Sequence, residues 1–189
     1  KEMIRFGTNE AHLRTMVLKN GKQYQIDMHL KHNRSKGIAV NKIPMKKASE
    51  LFGILNIVFF SPEDLNIIKN GPSERRHFLD AELCQLDKIY LSDLSNYNKI
   101  LNQRNKLLKD MVYRPELSDT LPVWDMQLAD TGKKIIRRRE QFVKELNELV
   151  HEIHYRISGG REELFLSYEP SVSADLLEQE LERVKPRDL

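Results

Sequence analysis

An α+β chain is what this sequence predicts: an antiparallel β segment, then a helical subdomain containing a long antiparallel helix pair. Three observations lead there. Residues 10–43 alternate in the β manner about Asn20-Gly21, the dipeptide that two-residue hairpin turns favour. Trp124, Leu128, Ile135, Phe142, Leu146, Leu149, Ile153 and Ile157 recur at three-, four- or seven-residue steps, one apolar stripe along a helix. Between these regions stand two closely spaced helix starts, Ser61-Pro62-Glu63-Asp64 and, after Gly71-Pro72, Ser73-Glu74.

Taken in order, His12 to Leu18 forms the first strand and Tyr24 to Leu30 its return, with a third strand over Gly37 to Val40 that turns at Asn41-Lys42. Pro44 to Phe52 is expected as a short helix. Ile54 to Phe60 is short, β-branched and aromatic, the composition of a buried strand. Ser61 suits an N-cap, Pro62 the first helical position and Asp64 the capping-box acid, so a short helix should run to about Lys69. The next helix, from Ser73, carries Phe78, Leu79, Leu83 and Leu86. Asp87 then caps a helix with Tyr90, Leu94, Tyr97, Leu101 and Leu108, which Arg114-Pro115 ends.

The long helix that follows tolerates Gly132 at about 1 kcal/mol relative to alanine and stops at Gly159-Gly160. Leu164, Leu166 and Tyr168 alternate as a strand, and Ser173 opens a last helix. Three parts are expected: β hairpins and a buried strand over 1–60, a helical subdomain over 61–160, and a return strand and helix over 161–189.

The chain has 189 residues, enough for one ordinary domain or two small ones; charged residues make up 31% and net charge is +3. Mild basicity of this kind implies a polyanion partner only where it is clustered. The single cysteine, Cys84, excludes an internal disulfide and fits a reducing, cytoplasmic setting; its apolar helical context marks a packed thiol. The longest apolar run, Ile54 to Phe60, is far short of the roughly 18–20 residues a membrane span requires, so no membrane is expected. A start at Lys1 without an initiator methionine, and a close at Leu189, suggest a piece of a longer protein.

The string Phe60-Ser61-Pro62-Glu63-Asp64-Leu65 followed by Gly71-Pro72-Ser73-Glu74-Arg75-Arg76-His77-Phe78-Leu79-Asp80 closely resembles the middle of the RecF family. Four further stretches match in the same order: Tyr90 through Leu108, Trp124-Asp125-Met126-Gln127-Leu128-Ala129 with Gly132, Ile153 through Gly160, and Tyr168-Glu169-Pro170-Ser171. Gly37 to Pro44 resembles the family's lysine-rich hairpin, with Lys42 where a turn glycine is usual. The resemblance implies a central fragment of an ATPase of the ABC type related to SMC proteins. Residues 1–60 would then be part of the ATPase lobe, 61–160 its helical arm, and 161–189 the return toward the lobe.

The resemblance further implies a recombination mediator that binds double-stranded DNA near junctions with single strands. In the full-length protein it would bind ATP and magnesium, self-associate on ATP, hydrolyse it weakly in response to DNA, and work with RecR and RecO to load RecA on gapped DNA. The chain itself lacks the chemistry of hydrolysis. None of its eight glycines stands in a phosphate loop ending in Gly-Lys-Ser/Thr, and no apolar run ends in Asp-Glu. Ser158-Gly159-Gly160 has the composition of an ABC signature but ends a helix instead of opening one. No catalytic residue and no cofactor is therefore expected within these residues.

Several groups remain as binding candidates. Ser61, Glu63 and Asp64 sit where related ATPases carry the glutamine loop; they are a helix cap between subdomains or a hinge that senses nucleotide. Arg75 and Arg76 fall in the first turn of a helix, against its dipole, where an anion or Glu74 would compensate them. Lys133, Lys134, Arg137, Arg138 and Arg139 are either a solvated helix face or a DNA-phosphate contact. Lys31, Arg34, Lys36, Lys42, Lys46 and Lys47 form a second basic stretch with no acid among them, suited to a duplex backbone. Trp124 and Tyr97 fit their apolar stripes and are expected in the core. His151 and His154, three apart with no second ligand pair, do not suggest a metal. The competing functional class is a helical protein-interaction module in which the Trp124–Ile157 stripe docks a partner without direct DNA contact.

Overall fold

A computed structural model describes residues 3–188; the outermost positions of the expected ranges, Lys1, Glu2 and Leu189, lie outside them. The chain divides into two compact units, one up to Lys69 and one from Asn70 onward.

The first unit is a four-stranded antiparallel meander of β1 (Glu10–Lys19), β2 (Lys22–Lys31), β3 (Gly37–Val40) and β4 (Ile43–Pro44), in that spatial order. Asn20 at φ 50° and Gly21 at φ 73° make the left-handed two-residue turn that matches strand twist and fixes Lys19 opposite Lys22. Every later β1–β2 pair follows from that register, which puts Leu13 opposite Met28 and Val17 opposite Tyr24. Ile26, Ile38 and Val40 are buried where β2 meets β3. Asn41 and Lys42, at φ 51° and 69°, form the second tight turn, and the Asn41 side chain accepts the Gln25 N–H at 2.8 Å.

Two expected strands are not formed. Residues 55–60 run without regular structure, and Val58, Phe59 and Phe60 are 95%, 80% and 78% exposed. Their β-branched and aromatic composition suits a strand, but a strand needs a paired edge, and the described sheet ends at β4. Residues 164–168 are likewise unpaired; the Leu166 N–H goes to the Asn147 side chain at 2.5 Å instead of to a neighbouring strand. The helix expected over Pro44–Phe52 contracts to one 3₁₀ turn, Ala48–Leu51. A 3₁₀ turn at Pro62–Leu65 leads into α1 (Asn66–Lys69), close to expectation.

The second unit is helical: α2 (Pro72–Leu86), α3 (Lys88–Met111), α4 (Leu121–Ile157) and α5 (Leu177–Asp188). Asp87 caps α3 as expected, its carboxylate accepting the N–H groups of Ile89 at 2.9 Å and Tyr90 at 3.0 Å. A 3₁₀ turn at Pro115–Thr120 reverses the chain, and α3 and α4 pack antiparallel, with Arg104 meeting Asp125 near the turn and Asp87 meeting Arg138 at the far end. Leu83, Tyr90, Leu121, Leu128, Ala129, Ile135, Phe142 and Val143 are buried and make the core. Cys84 is buried beside them; burial, then Asp80 and Asp87, push its thiol above the ordinary value. Trp124 and Tyr97 are half-buried. No helix among the described residues is long and apolar enough to cross a membrane.

Candidate nucleic-acid interface

The basic groups separate into those held by internal ion pairs and those left open. In the first unit, Lys36 enters β3 while Lys46 and Lys47 leave β4, so the three share one end of a short hairpin. All three are exposed and make no ion pair among the described residues. Of the nearest acids in sequence, Asp27 pairs with Arg14 at 2.5 Å, and Glu50 accepts the Lys47 backbone N–H at 2.8 Å without an ion pair to the ammonium groups. Three ammonium groups with solvated stems and no ion-paired carboxylate suit phosphate, which recruits such groups by displacing counterions.

In the second unit, Arg75 and Arg76 lie exposed on the first turn of α2. Arg75 donates to the Asn70 carbonyl at 3.0 Å. Both border a groove of about 660 Å³ that Tyr168, Ser171 and Val172 also line.

The run on α4 is placed differently. Arg139 makes a two-pronged bond to Asp80, Nε to Oδ1 at 2.9 Å and Nη2 to Oδ2 at 2.8 Å, and its Nε also reaches the Tyr90 hydroxyl at 3.0 Å. The Tyr90 hydroxyl donates to Asp80 Oδ1 at 2.5 Å; burial and that carboxylate push the phenol above its ordinary value. Arg138 pairs with Asp87 at 3.0 Å, Arg137 with Asp175 at 2.7 Å, Lys133 with Glu178 at 2.9 Å and Lys134 with Asp130 at 2.8 Å. These five cations join α4 to α2, to the α3 cap, to α5 and the turn that precedes it, and to itself. Arg139 has the least freedom, with 13% of its side chain exposed.

At the helix start after residue 60, the Ser61 N–H donates to Asp64 Oδ2 at 2.6 Å, and the Ser61 hydroxyl holds the Glu63 carboxyl below its ordinary value. All three residues proposed for a hinge therefore serve one local cap. At the end of α4, the N–H groups of Ser158, Gly159 and Gly160 donate back to His154, Arg156 and Tyr155. With Gly159 at φ 66° and Gly160 at φ 75°, the triplet is a helix stop, and its amides do not face an anion.

Two features went unseen in the sequence. Arg104, only 6% exposed, bridges Asp125 at 2.6 Å and Asp188 at 2.7 Å, joining α3, α4 and α5. No local pattern announces a partner 84 residues away. Glu10, His12 and His29 also converge on one face of the first hairpin; the turn at Asn20-Gly21 was the available signal, since the register it sets puts His12 opposite His29.

No protein-family model matches the chain. Curated relatives match it from end to end. The DNA replication and repair protein RecF of Agathobacter rectalis is 67% identical over 189 residues, all of this chain and 52% of that protein. RecF of Lachnospira eligens is 57% identical and RecF of Lachnoclostridium phytofermentans 51%, again over all of this chain. The chain spans about half the length of these relatives. Among solved structures, the recombination mediator protein RecF with ATP, in the RecFOR pathway, superposes with a TM-score of 0.85 at 32% identity, over all of this chain and 53% of that one. A second RecF structure, with the ligand named ATPrS, gives a TM-score of 0.80 at 31% identity.

Proposed function

Because the chain belongs to the RecF family of DNA replication and repair proteins, we propose that it supplies the DNA-facing β hairpins and helical arm of a recombination mediator. The observation that carries this reading is its 67% identity, without a break in coverage, to a RecF protein. The complete protein would be cytoplasmic, bind ATP with magnesium, self-associate on ATP, and engage double-stranded DNA at junctions with single strands. RecR, with RecO, would be its partner in loading RecA at gaps. These residues would bind and position but not hydrolyse ATP alone, and calorimetry of the isolated chain should register no ATP binding.

Within this reading the open cations are the DNA contacts: Lys36, Lys46 and Lys47 on the first unit and Arg76 on the second, with Arg75 beside Arg76 on the same helical turn. Contacts to phosphate position a protein without reading sequence. Each one lost should lower the slope of log affinity against log salt by about 0.9. The triple substitution Lys36→Ala/Lys46→Ala/Lys47→Ala should thus weaken duplex binding at low salt and flatten the salt dependence by about 2–3. Unchanged affinity and slope would sink the role given to this hairpin. The ends of the 61–160 arm and the use of Ser61, Glu63 and Asp64 as a nucleotide-sensing hinge belong to the same proposal.

One observation favours a protein partner as well. The apolar stripe of α4 emerges from the core toward its C-terminus, where Leu149, Ile153 and Ile157 are 60%, 55% and 80% exposed. An exposed stripe of this kind suits a protein neighbour better than a phosphate backbone.

A further inference from the structure

We propose that Glu10, His12 and His29 form a zinc-class metal site on the solvent face of the β1–β2 hairpin. Their ligand atoms lie within 4.8 Å of one another. The hairpin register brings them together. The His32 N–H donates to the Asn9 carbonyl at 3.1 Å, so three steps along the ladder the His12–His29 pair falls in the non-hydrogen-bonded set. In that set opposed side chains stand closest. The two imidazoles accordingly stack at 3.9 Å between centroids with 18° between planes. Glu10, two residues before His12 on the same face, is the diagonal neighbour of His29 and meets its Nε2 at 3.0 Å.

Two imidazoles and one carboxylate are a donor set for zinc and its neighbours, not for calcium or magnesium, which take oxygen ligands. Three protein ligands leave a fourth position for water, and the exposed face gives that water access. The charged neighbours on this face permit the site. Arg14 is neutralised by Asp27, and Lys31 sits 2.9 Å from Glu10 Oε2. His29 and Lys31 both meet Glu10 at Oε2, so Oε1 is left to turn toward a metal while Lys31 keeps its partner. Binding requires the imidazoles to rotate out of their stack, so that their in-plane lone pairs converge. A bound ion would cross-link β1 to β2 eight to ten residues from the turn, stabilising the strands where the hairpin is open.

The test is a zinc titration of the full chain against a chromophoric chelator, with cobalt(II) absorption as a second readout of coordination geometry. One saturable zinc per chain is expected. His12→Ala and His29→Ala should each weaken it at least tenfold, Glu10→Gln several-fold, and His151→Ala/His154→Ala not at all. Circular dichroism checks that each variant folds. If a histidine variant does not, Glu10→Gln decides, since it keeps the side-chain shape. Absence of saturable binding overturns the site, as does affinity unmoved by His12→Ala and His29→Ala, or by Glu10→Gln in the deciding case. Affinity lost in the His151→Ala/His154→Ala variant overturns it equally.

Discussion

Lys42 occupies a left-handed position, φ 69°, in a two-residue turn where glycine carries no steric penalty. A non-glycine residue there costs about 1–2 kcal/mol, offset by about 0.5–1 kcal/mol for the greater entropy a glycine loses on folding. Lys42→Gly should therefore stabilise the first unit by about 0.5–1 kcal/mol in chemical denaturation; a loss of stability would show that the lysine side chain contributes more than the strain. Asp87 is the counterpart in the second unit. The backbone N–H of Tyr90, then Arg138, hold its carboxyl below the ordinary 3.8. The folded form is the stronger acid, so its stabilisation is complete above that value and disappears as pH falls through the still lower folded one. Asp87→Ala should cost about 1 kcal/mol at neutral pH. The gap between variant and parent should close in the acid limb of a pH–stability curve. Both residues were legible as a turn and a cap because each effect is local.

Whole elements were legible where a local signal and the global packing agreed. The hairpin followed from Asn20-Gly21, and α4 from its stripe, over nearly its full span of 37 residues. Ile54–Phe60 and Leu164–Tyr168 were misread because alternation and β-branching report fitness for a strand, while pairing depends on which edge arrives. Gly132 changes meaning in the same way. In sequence it is a helix defect; in the structure an added Cβ would stand 2.6 Å from Leu177 Cδ2 and 3.3 Å from the Tyr97 ring, so its bareness lets α3 and α5 approach α4. Gly132→Ala gains about 1 kcal/mol of helix propensity but overpacks this contact by about 1–3 kcal/mol. Net destabilisation of about 1 kcal/mol is expected. Leu177→Ala in the same chain should recover part of it, and strict additivity in that double-mutant cycle would rule out the steric account.

Over the molecule, charge does more to hold the second unit together than sequence suggests. The α4 basic run was a candidate for phosphate, yet its members meet Asp80, Asp87, Asp130, Asp175 and Glu178. Arg104→Ala should destabilise this unit by about 3–5 kcal/mol, because it strands Asp125, 8% exposed, without its cation. Lys134→Ala, at an exposed i,i+4 pair, should change stability by less than about 0.5 kcal/mol. Thermal unfolding of the two variants separates a structural network from a surface decoration. What the sequence determined by itself was the α+β class, the hairpin register, the helix boundaries set by caps and breakers, and the family, since these rest on residues near one another in the chain. What tertiary structure decided was which cations are open, which carboxylates hold the rest, and which would-be strands find no partner. Apart from the i,i+4 pair of Lys134 with Asp130, those outcomes depend on groups tens of residues apart, and no local pattern of side chains encodes that distance.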